Sequence, residues 1–164
     1  MKLKQIFIIA FLVNCCLLLP SLIASQNLTD IDRLLARGDS LLAQKKLEEA
    51  GEAFKAALKI DRDLIQAYAG LGKIAIAQEK WGDASDKFGK VLDRDPENIE
   101  ANYFEGICFR ETGKFKALLL RKLDWNKSKK HFIRVLDRDS LFMDVVYQFA
   151  RLERYKEKYK EDYS

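Results

Sequence analysis

Residues 65–98 read IQAYAGLGKIAIAQEKWGDASDKFGKVLDRDPEN, and this stretch returns along the chain at fixed offsets. Gly38, Gly72 and Gly106 are each 34 residues apart, as are Ala50 and Ala84, Phe54 and Phe88, Leu58 and Leu92, and the pair Ala57 and Val91. Beyond Gly106 the offset becomes 44: Trp81 is matched by Trp125, Phe88 by Phe132, Val91 by Val135, Asp95 by Asp139, and Gly106 by Ala150. The third unit therefore holds an insertion of 10 residues, the difference between the two offsets. A self-similar period of this length marks one supersecondary unit stacked on copies of itself.

Within 65–98, Tyr68, Leu71, Gly72 and Ala75 sit on a first helix and Trp81 at the turn; Ala84, Phe88 and Val91 sit on a second helix and Pro96 at the exit. A 34-residue helix pair with these residues resembles the tetratricopeptide repeat. The first unit, 31–64, keeps Leu34, Gly38, Leu41, Leu47, Ala50, Phe54 and Ala57, with Arg62 in the proline slot. The third, 99–142, keeps Gly106, Phe109, Gly113, Trp125, Phe132 and Val135, and 143–164 reads as a partial fourth unit or a capping helix. The resemblance implies an all-α fold: a right-handed superhelical solenoid of antiparallel helix pairs, about three and a half repeats long. Small residues let paired helices approach, phenylalanines fill the space between hairpins, and stacking covers the face each hairpin leaves open.

Composition fits one helical domain. Of 164 residues 48% are hydrophobic and 33% charged, with 8 glycines, 2 prolines, 3 cysteines and 1 histidine. A net charge of +4 is too balanced for the basic footprint of a nucleic-acid binder. Lys2 and Lys4 precede an apolar run from Ile6 to Leu19, then Pro20 and the small residues Ala24 and Ser25. That order predicts an export signal, residues 1–25, cut near Ala24 or Ser25 to leave a periplasmic or secreted chain. A retained membrane anchor is the alternative, since the apolar stretch just reaches spanning length. Cleavage removes Cys15 and Cys16, so Cys108 is left with no intramolecular partner and reads as a small buried hydrophobe.

In the family the first helices line a concave groove that takes a peptide segment, which implies a protein or peptide partner here. Mapped onto this chain, the groove stripe is Asp32, Leu35, Asp39 and Leu42, then Gln66, Ala69, Lys73 and Ile76, then Glu100, Tyr103, Ile107 and Arg110, then Asp144, Tyr147, Arg151 and Arg154. Tyrosine and arginine are common interface anchors. An acidic or carboxylate-bearing partner segment is therefore expected at the end formed by Tyr103, Ile107, Arg110, Tyr147, Arg151 and Arg154, with Lys73 further along.

The insertion is the least generic feature. Gly113-Lys114-Phe115 reads as one inter-helix turn and Asp124-Trp125 as a second, which favours an extra turn or short helix between them; one long helix from about Phe115 to Leu136 is the alternative. Leu118, Leu119, Leu120 and Arg121 form a candidate patch there, for a partner or for lipid. One histidine, one mature cysteine and scattered carboxylates build no metal centre, and no phosphate loop or nucleophile triad appears. The expectation is a non-catalytic scaffold without a cofactor, with an accessory module of a larger envelope assembly or enzyme as the alternative.

Overall fold

The computed structural model describes residues 28–159; the expected export signal lies outside the described residues, as does the side chain of Leu118. The described chain is helical throughout. Helix α1 spans 28–43, α2 Leu47–Ile60, α3 Ile65–Ala77, α4 Trp81–Arg94, α5 Ile99–Gly113, α6 Leu118–Arg138 and α7 Val145–Lys158. Consecutive helices pack on one another, and α7 lies against both α5 and α6, giving a solenoid of antiparallel helix pairs with one helix more.

A glycine on each first helix and a phenylalanine on each second helix set the hairpin spacing. A Cβ on Gly38 would lie 2.6 Å from the Phe54 ring, one on Gly72 2.7 Å from Phe88, and one on Gly106 2.6 Å from Phe132. Each of these rings is fully buried, and the first two reach onward as well. Phe54 fills the space over Gly70 of the next hairpin, and Phe88 stacks on Phe104 at 4.9 Å. Ala50, Ala57 and Ala84 are buried alongside, where a larger side chain would hold the helices apart.

The first two hairpin turns share one device. Lys45 and Glu79, 34 residues apart, adopt left-handed φ values of 61° and 57°. In each turn the residue after it donates to a carbonyl five residues back, Lys46 to Leu41 and Lys80 to Ala75, both at 2.9 Å. This is the Schellman stop, which satisfies carbonyls the helix end leaves open.

Hairpin three departs from this pattern and corrects the reading of the insertion. Gly113 stands 34 residues after Glu79, yet its φ is not positive and α5 runs through it. The turn slips to 114–117, where Lys114, Phe115 and Lys116 donate to carbonyls three residues back and Ala117 opens α6. Instead of a separate short helix, α6 is one continuous helix of 21 residues, and Asp124-Trp125 lies inside it. Measured from the glycine–phenylalanine pair, α5 is two residues longer than α3, the turn one longer and α6 starts seven earlier than α4, which accounts for all ten inserted residues. The longer hairpin holds a second notch one heptad along: Gly113 lies under the buried indole of Trp125, 2.6 Å from where its Cβ would be. Trp81 and Trp125 are thus equivalent in register, each seven residues before its phenylalanine, but neither is in a turn: Trp81 opens α4 and Trp125 lies in mid-helix.

Candidate functional site

The helices α1, α3 and α5 line a hollow of about 220 Å³ bounded by Asp39, Gln66, Ala69, Lys73 and Glu100, together with Gly70 and Asn98. Five of these belong to the expected groove stripe. Lys73 is half-buried and paired with Glu100 at 2.7 Å, so its charge is balanced within the hollow. What remains open to a ligand is the Asp39 carboxylate, the Gln66 amide and the outer edges of that ion pair. Asn98 fixes one wall, because its side chain accepts from the Ala101 N–H at 3.0 Å and starts α5 there.

At the other end the structure divides the expected anchors. Tyr103, Ile107 and Arg110 are buried, Arg110 with only 2% of its surface exposed, and this corrects their assignment as partner-facing groups. The physical reason is α7. Its residues Val145, Gln148 and Leu152 are buried at spacings of three and four. The Arg110 guanidinium donates to the Gln148 side chain and, at 3.4 Å, to the Gln148 carbonyl. It also donates through Nε and Nη2 to Oε1 of Glu111 at 3.0 and 2.9 Å. Lys114 bonds the other Glu111 oxygen, and Tyr103 donates to Asp144, whose second oxygen accepts from Gln148 at 2.7 Å. Six polar side chains thus join α5 to α7 in one chain of bonds. Burial opposes charge on Glu111, but the bonds from Lys114 and Arg110 outweigh it and hold its carboxyl below the ordinary range. Burial pushes the Tyr103 phenol up, as the neighbouring Asp144 does.

Tyr147, Arg151 and Arg154 stay accessible on α7. Arg151 lies over the Tyr147 ring at 5.8 Å and donates to the Tyr155 hydroxyl at 3.4 Å. In the insertion, Leu119 and Leu120 are exposed, whereas Arg121 turns inward over the rings of Trp125 and Tyr159 at 5.9 and 4.7 Å.

Two titratable groups, one buried and one half-buried, have partners that sequence reasoning did not assign. Glu105 of α5, 6% exposed, accepts from Ser85 of α4 at 2.9 Å, while its Oε2 has no partner. Burial raises its pKa to about 7, against the opposing Ser85 bond. His131 stacks on Phe109 at 5.7 Å and donates through Nδ1–H to the Asn102 side-chain oxygen at 2.8 Å; burial lowers its pKa to about 4, as do Arg134, Lys130 and Lys127. A helical charge pattern alone carries no signal for either. Cys108 is buried and free, and burial lifts its thiol pKa. Among the described residues no cluster of three or more His, Cys, Asp or Glu is placed to hold a metal.

Comparison with known proteins agrees with the geometry. Family models described as "TPR repeat" and "Tetratricopeptide repeat" match residues 38–75 and 70–117. No curated protein matches the sequence. Similar solved structures include the first TPR of Spaghetti (RPAP3) bound to the HSP90 peptide SRMEEVD, at 12% identity and TM-score 0.65, covering 77% of this chain and 93% of that one. The Arabidopsis OM64 TPR domain superposes with TM-score 0.66 at 15% identity, over 79% and 98% of the two chains. A type III secretion (T3SS) complex from Aeromonas hydrophila gives 0.57 at 18% identity, over 82% and 84%. At these identities the likeness establishes the fold. With the repeat register, the helix pairs and both family matches in accord, this chain belongs to the tetratricopeptide-repeat family.

Proposed function

We propose that this chain is a non-catalytic scaffold that holds a peptide segment of a partner protein along its first helices. The observation that carries this reading is the hollow lined by Asp39, Gln66, Ala69, Lys73 and Glu100. It joins polar groups able to bond a peptide backbone to a shallow apolar floor, and it occupies the face on which the family takes peptides. The RPAP3 domain, whose fold is similar, was solved with a peptide bound. An acidic end of the segment would meet Arg151 and Arg154 beside Tyr147, the part of the expected basic end that remains accessible. Arg110 contributes only by holding α7 in place.

A photo-crosslinking residue placed at Gln66 or Ala69, compared with one at the exposed Glu52 of α2, tests the reading. Partner adducts at 66 or 69 and none at 52 support it; adducts confined to 52 would place the partner elsewhere. We further infer that the chain works outside the cytoplasm after cleavage near Ala24 or Ser25. Amino-terminal sequencing of the exported form should begin at Ser25 or Gln26, and an intact Met1 in a membrane fraction would favour the anchor instead.

A further inference from the structure

The outer face of α6 differs from the outer faces of its counterparts in both charge and apolarity. Helix α2 carries Glu48, Glu49 and Glu52 against Lys55 and Lys59, and α4 balances Asp83, Asp86 and Asp93 against Lys87, Lys90 and Arg94. Helix α6 carries seven basic residues against Asp124 and Asp137. Its first two turns, the part created by the insertion, expose Leu119 by 79% and Leu120 and Leu123 by about half, and Phe115 in the turn before is 84% exposed. At about 100° per residue, Leu119, Leu120 and Leu123 share one arc of roughly 160° with Lys122, Lys127, Lys130 and Arg134. The buried Trp125, Ser128, Phe132 and Val135 occupy the opposite side. Those four cations form no ion pair among the described residues, whereas Lys129 and Arg138 are paired with Glu153 and Glu97.

We propose that this face docks on an anionic membrane surface, the apolar tip entering the interface and the cations behind it meeting lipid headgroups. Leu119 and Leu120 come first along the axis, Lys122 beside Leu123 snorkels back toward the headgroups, and Lys127 follows Leu120 by seven residues, about 10 Å. That separation matches the 5–10 Å to which interfacial helices bury their apolar groups. The charge is complementary to anionic headgroups, each lysine near such a surface contributing attraction. Position and exposure favour a membrane over an acidic protein: measured in the repeat register, α6 begins two turns earlier than α2 and α4, and that extension bears large exposed apolar side chains. The cores of protein interfaces are depleted in charge, whereas this face interleaves it with the leucines. No described helix is long and apolar enough to cross a membrane, so the contact is peripheral.

The apolar run 6–19 would bind vesicles by itself, so the test needs a local readout. Amide hydrogen exchange is measured on the full chain with vesicles of phosphatidylcholine alone or with one third phosphatidylserine. Protection of 115–127 should appear with the anionic vesicles and fade at high salt. Leu119→Ser with Leu123→Ser should abolish it. Lys122→Glu with Lys130→Glu should require at least about tenfold more anionic lipid for half protection. Circular dichroism should show both variants folded, since every altered side chain is exposed. Unchanged exchange at 115–127 on vesicle-bound wild type, or full protection of the charge-reversed variant, would overturn the proposal. So would protection by poly-glutamate with none by vesicles, which would assign the face to an acidic protein.

Discussion

Replacing Glu105 with glutamine isolates the one buried carboxyl in the α4–α5 joint with an unpartnered oxygen. Glutamine keeps the shape and an acceptor for the Ser85 hydroxyl, and it removes the ionisation. The carboxyl pKa rises from 4.5 to about 7 on folding, with burial as the main cause, Asp86 adding to it, and Ser85 and Lys127 opposing it. A raised folded pKa means that the contribution to stability is complete below the unfolded value of 4.5 and is lost as pH rises through about 7. The full shift corresponds to roughly 3 kcal/mol as an upper bound at about 1.4 kcal/mol per unit. Relaxation and water entry reduce that, so Glu105→Gln should gain about 1–3 kcal/mol on wild type between pH 5 and pH 8.5. Urea unfolding of both chains at the two pH values measures the difference, and titrations common to both cancel. Parallel stability profiles, with the same gap at both pH values, would refute the account of this joint.

Three further outcomes follow from the packing. Gly72→Ala should destabilise by about 1–3 kcal/mol in thermal melts, because its Cβ would meet the Phe88 ring at 2.7 Å, whereas Gly82→Ala, with nothing within 4 Å, should be neutral or stabilising by up to about 1 kcal/mol. Arg110→Ala removes both bonds to Glu111 Oε1 and the bond to the Gln148 side chain and should cost about 3–5 kcal/mol, with α7 losing amide protection first. His131 has a folded pKa below its unfolded one, so its contribution is present above pH 6.5 and lost as pH falls through about 4; its ring resonances should titrate well below 6.5 in the native protein.

The register was legible because a close helix crossing demands a small residue against a large one. Gly38, Gly72 and Gly106 therefore had to recur with Phe54, Phe88 and Phe132, and the structure pairs them so. The insertion departs from its turn-like sequence for a related reason. Gly113 has the residue type of a turn, yet here the missing Cβ admits the Trp125 ring, and Asp124 is a buried partner of Thr112 and Lys116. A glycine that ends a helix and one that admits a ring look alike in sequence. Arg110 lay on the groove stripe by spacing, but its burial depends on Gln148, 38 residues further on, and no local pattern carries that information. Tyr147, Arg151 and Arg154, which no helix covers among the described residues, are accessible in the structure.

The central claim is that the partner sits on the first helices while the Arg110 network only supports them. Calorimetric titration of a captured partner segment against Lys73→Glu, Gln66→Ala and Arg110→Met measures this most directly. Affinity should fall at least about tenfold for the first two and stay within about threefold for Arg110→Met at a temperature where that variant is folded. Binding that survives Lys73→Glu and Gln66→Ala but is lost in folded Arg110→Met would contradict the account.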